Sequence, residues 1–156
     1  MTHFDNLDID NFMGFVINES TITQIKEALN TKGISFGEYP SYFDKNSKDI
    51  RFTYRIGYVD WTCMLSVKND VLKSVMLNNY SPDSHNTFRI LCRELIDRYG
   101  SFYNVRSSQN SREGTETMCF EDKEDAFHFT EVVYDSSPII GQKNIYINYF
   151  KASSRF

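Results

Sequence analysis

Cys63, Cys92 and Cys119, together with His3, His85 and His128, are the residues of this 156-residue chain whose types suit nucleophilic or metal chemistry. A thiolate nucleophile needs a base and a positive neighbourhood. Cys92 or Cys119 would therefore have to meet His85 or His128 in space, and nothing in their spacing brings them together. No two of these residues stand at a metal-ligand spacing such as C-x2-C or H-x3-H. The three thiols fall inside predicted elements and read as small buried apolar groups. His128, between Phe127 and Phe129, reads as an outward residue of a strand.

Glu121, Asp122, Glu124 and Asp125 offer carboxylates for acid–base work. They cluster at a predicted hairpin tip, where solvent keeps carboxylates ordinary, and there they suit an electrostatic handle for a basic partner. The run Asp44-Lys-Asn46-Ser-Lys48-Asp49 has the spacing of a calcium loop. It lacks the glycine at the sixth position, and Arg55 stands where the bidentate glutamate belongs. No phosphate-binding glycine loop is present. No catalytic, cofactor or metal set emerges from the residues.

The other chemical resource is aromatic: thirteen Phe, ten Tyr and one Trp. Tyr39, Tyr42 and Phe43 share a polar loop over 37–49, and Tyr58 sits in a turn. Phe102 and Tyr103 follow a predicted helix, with Arg106 just beyond in the polar stretch 104–114. Tyrosine brings large contact area with little rotamer freedom to lose, so these seven residues form the candidate protein-binding set. The competing reading folds the rings back as lids on the core.

The elements that position them come from periodicity. Thr21 with Gln24 predicts a capped helix, Ile22, Ile25 and Leu29 share one face, and Gly33 closes it. Alternation predicts strands over 50–56, 61–68 and 71–79, with Asn69-Asp70 as a hairpin turn. Residues 81–100 repeat the pattern, with a helix whose apolar stripe runs Phe88, Leu91, Cys92, Leu95, Ile96 and Tyr99, ended by Gly100. Glu94 and Arg98 fall on its solvated side. Strands over 115–121, 126–134 and 143–150 follow.

The predicted order is α-β-β-β-α-β-β-β, an α+β fold. We expect two αβββ repeats forming one antiparallel sheet with both helices packed on one face. The chain reads as a single domain over 1–156, with units at about 12–80 and 81–150, a loose lead-in over 1–11 and a tail over 151–156. Because the loops after the two helices occupy equivalent places in such units, they are expected near one another.

Net charge is −4 and the pI about 5.4. This acidity argues against nucleic acid and against a basic membrane-binding patch. MTHFDNLDID has neither the basic nor the apolar region of a signal peptide. Three widely spaced cysteines suit reduced thiols in the cytoplasm.

The unit FMGFVINESTITQIKEALNTKG with RFTYRIG, WTCMLSV and LKSVML, and the second set ELIDRYG, MCFED, FHFTEVVY and IYINYF, resemble the duplicated modules of the beta-lactamase-inhibitor-protein-like superfamily. The resemblance covers most of residues 12–150 and rests on element order. It implies a non-enzymatic domain that binds proteins through loops and an open sheet face. The N-terminus departs from that family, whose members are exported. The first five elements are also similar to type III secretion chaperones, although IYINYF reads as strand where those have a helix. The expected function is a cytoplasmic, non-catalytic protein-binding domain of inhibitor or immunity type, without cofactor, monomeric or homodimeric. The alternatives are a homodimeric secretion chaperone, or a small-ligand binder or enzyme with a pocket between helix and sheet.

Overall fold

Strict alternation builds the sheet of this protein, and the computed structural model describes residues 2–125, 128–137 and 143–150 of it. Helix α1 (Ile22–Thr31) carries the capping box: Gln24 N–H donates to Thr21 Oγ1 at 3.2 Å, and Thr21 N–H donates to Gln24 Oε1 at 3.0 Å. Four strands follow, β1 (Gly37–Pro40), β2 (Ser47–Ile56), β3 (Val59–Lys68) and β4 (Val71–Tyr80). Helix α2 (Ser84–Tyr99) leads into four more, β5 (Tyr103–Asn110), β6 (Thr115–Asp122), β7 (Phe129–Asp135) and β8 (Asn144–Phe150).

All eight strands form one antiparallel sheet in the order β1-β2-β3-β4-β8-β7-β6-β5. The α+β class and single sheet are as expected. Each helix, however, precedes four strands and not three. The added strands are β1, short and mostly exposed, and β5, whose polar sequence hid it. Of the expected terminal segments, the tail 151–156 lies outside the described residues.

One register row shows how the inner face forms: Phe52, Cys63, Leu77, Ile147 and Val132 stand opposite one another on successive strands, all buried. Both helices add to this single core, α1 through Ile22, Ile25 and Leu29, α2 through Phe88, Leu91, Cys92 and Leu95. The Asn69–Asp70 turn has φ of 52° and 65°, the left-handed pair that a tight hairpin requires.

The lead-in is not loose. Phe4, Leu7, Ile9, Phe12, Phe15 and Ile17 are all buried, and each such side chain contributes roughly 1.5–3 kcal/mol. The ring of Phe12 packs against Phe52, Tyr54 and Tyr149. Two residues of α2 that the helical pattern assigns to solvent hold this arm by its backbone. Glu94, 7% exposed, accepts from the amides of His3 at 2.7 Å and Phe4 at 2.9 Å. Arg98 donates to the carbonyls of Phe4 at 2.9 Å, Asp5 at 3.1 Å and Leu7 at 2.7 Å. Further along, Tyr149 Oη donates to Asp8 O and Thr130 Oγ1 to Ile9 O, both at 2.6 Å. Gly57 permits the fit: its φ is +66°, and a Cβ there would lie 2.5 Å from His3 O.

Arg98→Ala leaves three carbonyls without their charged donor and is expected to cost about 3 kcal/mol in urea unfolding. Arg93→Ala, an exposed change on the same helix, is expected to cost under about 0.5 kcal/mol. Equal effects would contradict a clamp.

Candidate functional site

The β1–β2 connection is short on apolar residues that could anchor it, so polar contacts fix its shape. Asp44 supplies most of them. Its carboxylate accepts from Asn46 N–H at 2.9 Å and from Ser47 Oγ at 2.9 Å, and it pairs with Lys68 at 3.3 Å. Ser47 N–H returns to Asp44 O at 3.1 Å, and Asn69 N–H donates to Asn46 O at 2.9 Å, which ties the loop to the β3–β4 turn. The amide of Asn46, helped by the Ser47 hydroxyl, holds the Asp44 carboxyl below its ordinary value of 3.8. The stretch rejected as a calcium loop is thus an Asx turn.

This turn leaves the Tyr42 and Phe43 side chains in open solvent, at 101% and 100% exposure. Tyr39 lies beside them on β1, with the Arg51 guanidinium 4.7 Å from its ring centroid. Together with Lys48, Arg51, Lys68 and Ser74 these rings border an open concavity of about 760 Å³ on the sheet face away from the helices. Lys26, donating to Glu38 at 2.7 Å, holds that carboxyl below its usual range, with Lys48 at 3.4 Å adding to the effect.

The other predicted residues lie elsewhere. Tyr58 bridges the β2–β3 turn to α2 and the arm: its hydroxyl is 3.2 Å from Thr87 Oγ1, and its ring meets His3 and Phe4, each at 5.5 Å. The residue nonetheless remains 43% exposed. Phe102 is exposed in the turn just before β5. Tyr103 is half buried against Tyr99 at 5.9 Å, and burial pushes its phenol up. Arg106 is exposed and pairs with Glu121 of β6. The two post-helix segments are not neighbours, contrary to expectation. Strand order runs outward from β4 and β8 in both halves, so β1 and β5 are opposite edges of the sheet, about 34 Å apart at strand spacing.

The thiols are poorly suited to nucleophilic work. Burial pushes Cys63 up to about 12 from 9.0, and burial together with the nearby Glu116 charge brings Cys92 to about the same value. Burial raises Cys119 as well. His85 Nε2 lies 2.8 Å from Glu116 Oε2, with its ring 4.7 Å from Tyr134, and so pins α2 to β6. Among the described residues, no cysteine is hydrogen-bonded to a histidine, and no group of three or more His, Cys, Asp or Glu is placed to hold a metal ion. No helix among them is long and apolar enough to cross a membrane.

The sequence missed Asp44, Asn46, Ser47 and Lys68 as the residues that shape the aromatic loop. The D-x-N-S order was the available signal, because Asp in a turn bonds the backbone two residues on.

Two measurements follow from this geometry. With both thiols buried and pushed up to about 12, almost none of Cys63 or Cys92 is thiolate at pH 8. Iodoacetamide is therefore expected to label Cys119 first in the native protein and the other two only on unfolding. Rapid native labelling of Cys92 would contradict the burial. Second, the Asp44 carboxylate acts above its ordinary pKa and is lost as pH falls through its lowered one. The Asn46 amide proton is expected to titrate by NMR with a midpoint below 3.8; a midpoint at or above that value would contradict the turn.

Comparison of the chain with protein-family models, with curated proteins and with solved structures finds no match.

Proposed function

We propose that this protein is a non-catalytic protein-binding domain of inhibitor or immunity type. The observation that carries the reading is the pair Tyr42 and Phe43, fully exposed on a loop that hydrogen bonds hold in one shape. Two large rings left in water by an ordered segment lose hydrophobic stabilisation in the free protein and regain it against a partner. A preformed loop also spares most of the ordering cost of association. The adjoining concavity supplies polar rim contacts through Lys48, Arg51 and Lys68.

A duplicated origin for the two halves fits this reading. It is supported by a helix and four strands in each half and by a strand order symmetric about the β4–β8 pair. The inhibitor-like assignment draws on the likeness in element order. A cytoplasmic setting is supported by three unbridged cysteines. The secretion-chaperone reading has less support, since β8 is a strand where that pattern has a helix. The pocket-enzyme reading is weakened by raised thiol pKa values and by a histidine engaged with Glu116.

The test is co-purification from the source cell with wild type and with Tyr42→Ala/Phe43→Ala. The double variant is expected to keep its unfolding midpoint and to lose the specific partner, at about 2 kcal/mol or more of binding energy per anchoring ring. Equal recovery with both proteins, or no specific partner with wild type, would overturn the proposal.

A further inference from the structure

The two edges of the sheet are treated differently. Edge strands expose unpaired N–H and C=O groups, and proteins normally blunt them with shortness, proline or charge. Strand β1 carries all three: it is four residues long, ends in Pro40, and its Glu38 is bridged to Lys26 and Lys48. Strand β5 has neither the shortness nor the proline, and it carries a single charged residue. It runs eight residues as YNVRSSQN, without proline, glycine or bulge, in unbroken register with β6. Arg106 pairs with Glu121 on the neighbouring strand and stays exposed, so its guanidinium faces whatever docks at this edge. No described strand pairs with its outer side.

We propose that β5 is a self-association edge, pairing antiparallel with β5 of a second copy so that the sheet continues across a two-fold axis. The strand's own sequence favours a second copy as the occupant. Side chains alternate between faces, so the open face stays continuous only in registers that match even-numbered residues with even-numbered ones; a one-residue slip turns every side chain over. Centring on Arg106 would oppose two guanidinium groups. Centring on Ser107 sets Asn104 against Asn110, Val105 against Gln109 and Arg106 against Ser108 of the second copy. This register opposes no like charges, sets amide against amide at both ends, and places the long Arg106 opposite the small Ser108. Seven residues of strand pairing bury less than a stable obligate interface requires. The dimer is therefore weak, reversible and micromolar, and it leaves the Tyr42–Phe43 loop at the far edge of each copy free.

Sedimentation velocity on the whole chain, from micromolar to several hundred micromolar, tests this. Wild type is expected to pass from monomer to dimer over that range. Ser108 is exposed, so its variants keep the fold, which circular dichroism verifies. Ser108→Lys places a cation against Arg106 twice per dimer and is expected to raise the dissociation constant about tenfold; Ser108→Glu is expected to lower it by a similar factor. A monomer throughout the range, or any result other than opposite shifts in the two variants, would overturn the proposal.

Discussion

Two charged side chains on one helix hold the backbone of a segment that has no regular structure of its own. Glu94 takes two amides at the start of the N-terminal arm, and Arg98 takes three carbonyls one to four residues further on. An irregular segment over a core carries polar backbone groups that water cannot reach, and each one left unpaired is costly. The clamp removes that penalty where Phe4 and Leu7 enter the core, and the hydroxyls of Tyr149 and Thr130 do so for Asp8 and Ile9. Without these contacts the arm could not place Phe12 against Phe52, Tyr54 and Tyr149.

Among the described residues, nothing covers the opposite face of the sheet. Both helices and the arm are committed to one core. The other face carries mixed rows such as Arg51, Met64, Met76, Asn148, Glu131, Cys119 and Arg106. Such a surface is neither a second core nor fully hydrophilic. With the inner pairing β4–β8 at its centre, the loop after α1 and the strand after α2 are carried to opposite margins. One molecule can thus present an aromatic loop at one edge and an open strand at the other, with no contact between them.

Much of this was legible. The capping box of Thr21 and Gln24, the strands over 50–56 and 61–68, and the Asn69–Asp70 turn follow from local chemistry. The arm over 1–11 was not legible, because Phe4, Leu7 and Ile9 follow neither a helical nor a strand period; only tertiary contact orders them. Glu94 and Arg98 read as solvated because the helical wheel records polarity, and it cannot show a partner ninety residues away. Strand β5 read as a polar loop because an edge strand at the margin of a sheet has little to bury on either side. The aromatic loop was found by composition, but its shape depends on Asp44, whose role becomes visible only once Lys68 and Asn69 are brought beside it.

The central claim is that a rigid scaffold holds two aromatic rings in water for a partner to cover. Backbone 15N relaxation of the free protein tests it most directly at residues 42–47. The account predicts order parameters near 0.85, matching the flanking strands, with the Tyr42 and Phe43 ring protons strongly affected by a soluble paramagnetic agent. Order parameters below about 0.6 in this loop, or rings protected from the agent, would contradict it.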